Sequence, residues 1–117
     1  MLKKGQIEFG DIVWTQFDPS IGHEFQDKRP AVVIQTNKQI SRSNLVTVIP
    51  LTGNLTNKVD DDIIIHADNE NNLKSNSLIK VYNIASCDYS RFCGVIGHAG
   101  NNIMHEIRLY LKKHFGI

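Results

Sequence analysis

Between Gly10 and Asn37 the chain sets down two strand-like runs with a polar loop between them, GDIVWTQFDPSIGHEFQDKRPAVVIQTN, and this unit restricts what the rest can become. From Asp11 to Phe17, Ile12, Trp14 and Gln16 alternate with Val13, Thr15 and Phe17, the two-residue period of a β-strand. Ala31 to Ile34 is short, apolar and β-branched. Between the two runs, Asp18-Pro19-Ser20 and Gly22 are turn formers, and the chain then spends seven residues on His23, Glu24, Phe25, Gln26, Asp27, Lys28 and Arg29. Pro30 restrains Arg29 to extended backbone and has no main-chain N–H of its own. The result is an arginine anchored at the mouth of a buried strand, with its head near solvent.

The remainder reads as support for that loop. With 117 residues the chain makes one domain spanning 1–117 and one main site. Hydrophobic residues at 41% and charged residues at 21% suit a soluble globular protein, and no apolar run approaches the roughly 18 residues of a membrane span. Met1-Leu2-Lys3-Lys4-Gly5 has no apolar stretch after its lysines, so it is no secretion signal, and a cytoplasmic protein is expected. A formal net charge of +1 argues against gripping duplex DNA through many phosphates, yet leaves room for a local basic site. Cys87 and Cys93 fit neither a C-x-x-C nor a zinc spacing and read as buried structural thiols.

Further along, Lys38–Asn44 is a polar connection and Leu45–Leu51 an apolar strand that meets Pro50. Residues 53 to 60 form a loop, and Asp60-Asp61-Asp62 is a solvent-facing lead into Ile63-Ile64-Ile65, a strand either buried on both faces or running along a sheet edge. After a loop over Asp68–Asn76, a strand over Ser77–Tyr82 continues into Asn83-Ile84-Ala85-Ser86, and Phe92–Gly97 is the last strand. Gly100-Asn101-Asn102 supplies a turn and N-cap for one amphipathic helix, with Ile103, Met104, Ile107, Leu111 and Phe115 at helical spacing. His105, Glu106, Arg108, Lys112 and Lys113 occupy its solvated face. Six or so short strands and a terminal helix predict a mainly β, α+β fold: a small, strongly curved sheet or barrel closed by the helix.

Common enzyme motifs are missing. There is no Walker loop, no dinucleotide glycine fingerprint, no G-x-S-x-G, and the five histidines are isolated from one another, so neither a metal nor a cofactor is expected. What remains is Arg29 and Thr52, each at a strand end, on loops that can meet at one rim. A guanidinium makes paired hydrogen bonds to phosphate oxygens and a threonine hydroxyl adds another donor. Spacing alone favours a plainer reading, a surface ion pair of Arg29 with Asp27 or Glu24 and a turn role for Thr52.

G-D-I-V-W at 10–14, F-D-P-S at 17–20, G-H-E at 22–24, K-R-P-A-V-V at 28–33, V-I-P-L-T at 48–52 and the segment from Ser77 to Arg91 together resemble the MazF/PemK family of type II toxin–antitoxin toxins, over nearly the whole chain and in order. The resemblance implies an SH3-like small β-barrel of the MazF/PemK/CcdB type with a C-terminal amphipathic helix. It implies a sequence-specific, metal-independent endoribonuclease that cuts single-stranded RNA, messenger RNA included, and arrests growth. Family catalytic positions fall on Arg29 and Thr52; Glu24, Lys28, Ser77, Asn83 and Arg91 follow as RNA-binding residues. Apart from the resemblance, His23 is the one histidine of the loop and is the candidate proton carrier. Implied partners are a homodimeric second copy, the RNA substrate, and an acidic antitoxin laid over Arg29, Lys28 and Arg91, with operator DNA bound only through the antitoxin complex. The chain departs from the family pattern in its longer loop over Phe25–Lys28, in His23, and in Tyr82 and Asn83, where many members carry an acidic residue and glutamine. Two other readings keep the fold and drop the RNA cleavage: a gyrase-poisoning toxin, and a non-catalytic SH3-like binding module with Trp14, Phe17, Phe25 and Tyr82 as its platform.

Overall fold

The Asp11–Phe17 alternation folds as β1 (Asp11–Gln16), and its two faces enter two different cores. The computed structural model describes residues 2–17 and 28–117; His23 and Glu24 lie outside the described residues. The chain order continues as β2 (Lys28–Val33), α1 (Asn37–Ile40), β3 (Leu45–Thr52), β4 (Ile63–Ile65), β5 (Ser77–Ile79), β6 (Ala85–Asp88), β7 (Phe92–His98) and α2 (Asn101–Phe115), with 3-10 turns at Lys4–Gln6, Leu55–Asn57 and Tyr89–Arg91.

Every strand pair is antiparallel, and the sheet runs β4-β5-β3-β2-β1-β7. One edge of β3 is shared: Leu45–Val48 pairs with β6 and Leu51–Thr52 with β5. The fork explains why Ser77–Ser86 is not one continuous strand, as the sequence suggested. The chain must turn at Lys80–Asn83, closed by the Asn83 N–H donating to the Lys80 carbonyl at 2.9 Å, to pass from one half of β3 to the other.

Ile12, Val32, Ile49 and Leu51 face a core completed by Ile63, Ile65, Ile79, Met104, Ile107 and Tyr110. Val13, Ala31, Val33, Val46 and Val48 face the second core with Ile7, Phe17, Ile40 and Phe92. Burying Met104 and Ile107 contributes on the order of 1.5–3 kcal/mol each, which holds α2 on the sheet. The helix runs from a Gly100 cap to Gly116 in the left-handed region, whose N–H donates to the Lys112 carbonyl. It begins at Asn101, one residue inside the expected cap. Tyr110 occupies the buried stripe, whereas Phe115 is 60% exposed and lies outside it.

The expected closed barrel is instead an open sheet. Among the described residues β4 and β7 form no ladder with each other, and the β4–β5 loop bridges the seam. The His98 N–H donates to the Glu70 carbonyl at 3.0 Å, and Asn72 Nδ2 donates to the Ile96 carbonyl at 2.9 Å. This approach requires Gly97, since a β-carbon there would stand 2.5 Å from the Glu70 carbonyl oxygen. Ile63-Ile64-Ile65 is an edge strand with Ile64 turned outwards. The connection after β2 contains α1, with Ile40 in the core, where only a polar link was expected. Cys93 is exposed and Cys87 half-buried, both as free thiols, so the burial expected for them fails at Cys93.

Candidate active site

Arg29 is the second residue of β2 and lies across from Thr15 of β1. Thr15 is buried and its hydroxyl donates to the Val13 carbonyl at 3.2 Å, so the floor beside the arginine is fixed and uncharged. The β2–β3 register pairs Ala31 with Pro50; carried two places further, it sets Arg29 opposite Thr52. Antiparallel partners share a face, so the two side chains stand on the same side of the rim. Arg29 is half-buried, its Nε beneath the surface, which restricts where its outer nitrogens can point.

Thr52 is held from both sides. Its neighbour Leu51 pairs with Ile79, and Thr52 itself pairs with Leu78. Its Oγ1 accepts from the Asn54 N–H at 3.2 Å, and Asn54 in turn caps the Leu55–Asn57 turn through Thr56. The hydroxyl proton has no acceptor among the described residues, leaving it to a ligand oxygen.

Two further basic residues reach this end of the sheet. Lys28 is exposed beside Arg29, and Arg91 ends the Tyr89–Arg91 turn just before Phe92, which pairs with Thr15. Arg29, Lys28, Arg91 and Thr52 therefore gather at one rim. Asn83 is exposed in the Lys80–Asn83 turn; the β3–β6 register extended from Val48 and Ala85 places it across from Pro50, two residues from Thr52. Ser77 is buried, and its hydroxyl donates to the Ser75 carbonyl at 3.1 Å. It is the one described candidate whose polar group is turned into the protein.

The acidic triplet is not the solvent-facing lead it resembles in sequence. The Asp62 side chain is fully buried and its Oδ2 takes both Lys80 Nζ and the Val59 N–H; among the described residues its Oδ1 has no hydrogen-bond partner. Lys80 also donates to the Asn57 carbonyl at 3.2 Å. This pair fastens the loop that leaves Thr52 to the turn that carries Asn83. Sequence offered no local sign of it, because Lys80 lies eighteen positions beyond Asp62 and the pair exists only once β5 lies against β3 and β4.

Asp61, at φ 76, accepts from Tyr82 Oη at 2.8 Å and Lys113 Nζ at 3.0 Å, linking the same loop to α2. The Lys113 and Tyr82 hydrogen bonds pull the Asp61 carboxyl below its usual range, and the Asp61 bond, then burial, push Tyr82 up to about 12. A tyrosine whose folded pKa is raised stabilises the fold fully below the ordinary value of about 10, and that contribution is lost as pH rises towards 12. Tyrosinate absorbance should thus show Tyr82 titrating late alongside Tyr110, which burial also pushes up, with the Tyr82 step moving back towards 10 in Asp61→Asn; no shift of that step on the substitution would remove the assigned cause.

A family profile described as "PemK-like, MazF-like toxin of type II toxin-antitoxin system" matches residues 8–115. The chain belongs to this family. As a PemK/MazF-like toxin it shares 29% identity over 116 residues with the endoribonuclease toxin ChpB of Escherichia coli (strain K12), covering 96% of this chain and 97% of that protein. In fold it is similar to MazF from Deinococcus radiodurans, with a TM-score of 0.79 at 23% identity over 95% of this chain and 97% of the other. The toxin MazF-mt6 of Mycobacterium tuberculosis matches with a TM-score of 0.72 at 17% identity, over 92% and 97%. A structure of MazE-MazF from Deinococcus radiodurans matches with a TM-score of 0.74 at 21% identity, over 96% and 97%. The family and the fold class expected from the sequence both stand, apart from the open seam.

Proposed function

We propose that this PemK/MazF-like toxin is a metal-independent endoribonuclease that cleaves single-stranded RNA, with Arg29 and Thr52 as its catalytic pair. The observation that carries the reading is their placement: a half-buried guanidinium and a hydroxyl with a spare proton, on facing strand ends, at the rim where Lys28 and Arg91 also lie. ChpB is an endoribonuclease toxin by name, which supports the same activity here.

The reaction is attack of a ribose 2′-oxygen on the adjacent phosphorus. A bond forms between them, the bond to the 5′-oxygen breaks, and the products are a cyclic phosphate and a free 5′-hydroxyl. Charge builds on the non-bridging oxygens, where Arg29 can make paired contacts and Thr52 a third. Arg29 keeps its proton and so serves as electrostatic stabiliser. His23 is the proposed proton carrier, while Lys28, Arg91, Asn83, Glu24 and Ser77 complete the RNA-binding set; for Ser77 its inward hydroxyl leaves the backbone as its contribution.

The working assembly in this reading is a homodimer in the cytoplasm. An acidic antitoxin segment covers Lys28, Arg29 and Arg91 and folds as it binds, and operator DNA is engaged through that complex alone. The fold match to MazE-MazF of Deinococcus radiodurans supports a paired antitoxin. Incubating purified protein with a long RNA in EDTA should give cuts at one short sequence, with 5′-hydroxyl and cyclic phosphate ends. Intact RNA together with trapped gyrase–DNA complexes would replace this reading with gyrase poisoning.

A further inference from the structure

Beside the Arg29–Thr52 rim lies a cavity of about 280 Å³ whose walls include Trp14, Pro30, Leu73 and Ile96. Its position is tied to the proposed catalytic pair by the chain itself. Pro30 follows Arg29, and Gly53, at its mouth, follows Thr52, so each lining residue sits one Cα step, about 3.8 Å, from a catalytic one. Within β2 consecutive side chains take opposite faces, and the cavity therefore lies just over the rim from the phosphate site.

Trp14 is the unusual element. It is 39% exposed, although its strand neighbours Val13 and Thr15 are fully buried. Pairing with Pro30 on one side and Gly94 on the other leaves its indole flanked by residues with little or no side chain to cover it. The opposite wall is fixed in place, since Asn72 Nδ2 holds the loop to β7 through the Ile96 carbonyl and Ser77 Oγ holds the Ser75 carbonyl. A rigid slot with one exposed indole face, apolar sides and exposed Lys74 at its edge is chemically matched to a flat heterocycle attached to a phosphate. Its volume falls just below the roughly 300–1,000 Å³ of pockets for drug-sized ligands, which suits one ring and excludes a stacked pair.

The geometry points to this slot as the subsite for one unpaired RNA base next to the cleaved phosphate, with Trp14 as its stacking platform and Lys74 facing the following phosphate. The assignment rests on the endoribonuclease reading and adds to it a specificity-determining residue. The base is inserted over the rim while the phosphate stays on Arg29 and Thr52, so the ribose straddles the strand ends and the sequence preference at that position is set by the slot.

Trp14 is the single tryptophan of the chain, which makes the test direct. The probe is an oligonucleotide carrying the sequence that the wild-type protein cuts, with deoxyribose at the cut to remove the attacking hydroxyl. Its binding, followed by anisotropy, should change Trp14 emission. Trp14→Ala should lower kcat/KM by about 5- to 150-fold, the range of one base–aromatic stack, and flatten the preference at one position beside the cut; Trp14→Phe should restore much of both. Gly53→Val is the second variant, since a β-carbon there meets only Ser75 Oγ at 3.4 Å and the branched side chain would plug the slot; its melting transition, compared with that of the wild type, shows that the fold is kept. It should mimic Trp14→Ala. Probe binding with unchanged Trp14 emission, or a Gly53→Val protein that cuts the same sequence at the same kcat/KM, overturns the subsite and leaves the nuclease reading standing. Emission that answers only to an acidic antitoxin segment and not to the oligonucleotide also overturns it, in favour of a protein side chain in the slot. Should the wild-type protein cut no RNA at all, the nuclease reading falls and the subsite with it.

Discussion

Arg29→Ala is expected to lower kcat for RNA cleavage by about 10²–10³-fold, the range seen when one preorganised donor to a developing oxyanion is removed. The circular dichroism spectrum should stay that of the wild type, because Arg29 stands at the rim and outside both hydrophobic cores. KM should rise less than kcat falls, since the proposed backbone contacts of Lys28 and Arg91 are untouched by the substitution. Arg29→Lys should recover little: an ammonium offers a point charge where the geometry asks for a planar fork. Single-turnover kinetics on a defined RNA would separate these quantities. A variant that melts normally and cleaves at the wild-type rate would remove Arg29 from the mechanism.

The largest loss of stability is expected at Lys80. Replacing it with methionine leaves the fully buried Asp62 carboxylate with one N–H donor, and breaking such a pair costs about 3–5 kcal/mol. Asp62→Asn should cost less, because the partner left behind is 17% exposed, can reach water and keeps the Asn57 carbonyl. The double change Asp62→Leu with Lys80→Met should recover most of the loss, as replacing a whole buried pair with apolar groups approaches neutrality. Urea unfolding of the four proteins at a single pH gives the comparison. A Lys80→Met midpoint equal to the wild type would mean that the pair fastens nothing.

Elements whose signal is local were legible in the sequence. The alternation at Asp11–Phe17 and the apolar run after Pro30 became paired strands, and the Gly100-to-Gly116 stretch became the helix, since period and capping are written within each segment. The candidate rim was legible in part: Arg29 and Thr52 could be singled out as strand-end residues, but only the β2–β3 register, carried two places on, sets one across from the other. What escaped was set by partners distant in sequence. Asp60-Asp61-Asp62 carries the composition of a solvated turn, and nothing within it announces a lysine at 80 and another at 113. The break between β5 and β6 escaped for the same reason, because it answers to the fork in β3 and not to the residues being broken. Phe115 has helical spacing and remains exposed, its ring meeting His114 edge-on at 4.8 Å at the end of α2, whereas Tyr110 is covered by Tyr82 through an edge-on contact at 5.9 Å.

The loop stitched across the open seam has a consequence for how the protein behaves in a crowded cell. An open sheet presents unpaired borders, here among the described residues the outer edges of β4, β6 and β7, on which other chains can template strands, the usual start of aggregation. On the β7 border, the Ile96 carbonyl and the His98 N–H are already occupied by Asn72 and Glu70, and Gly97 lets the loop lie flat against them. The β4 border is only three residues long, a very short edge of the kind that discourages further pairing. The β7 border is thereby denied to intruding strands at Ile96 and His98 and the β4 border offers them little length, which leaves β6 as the edge a second chain would meet first.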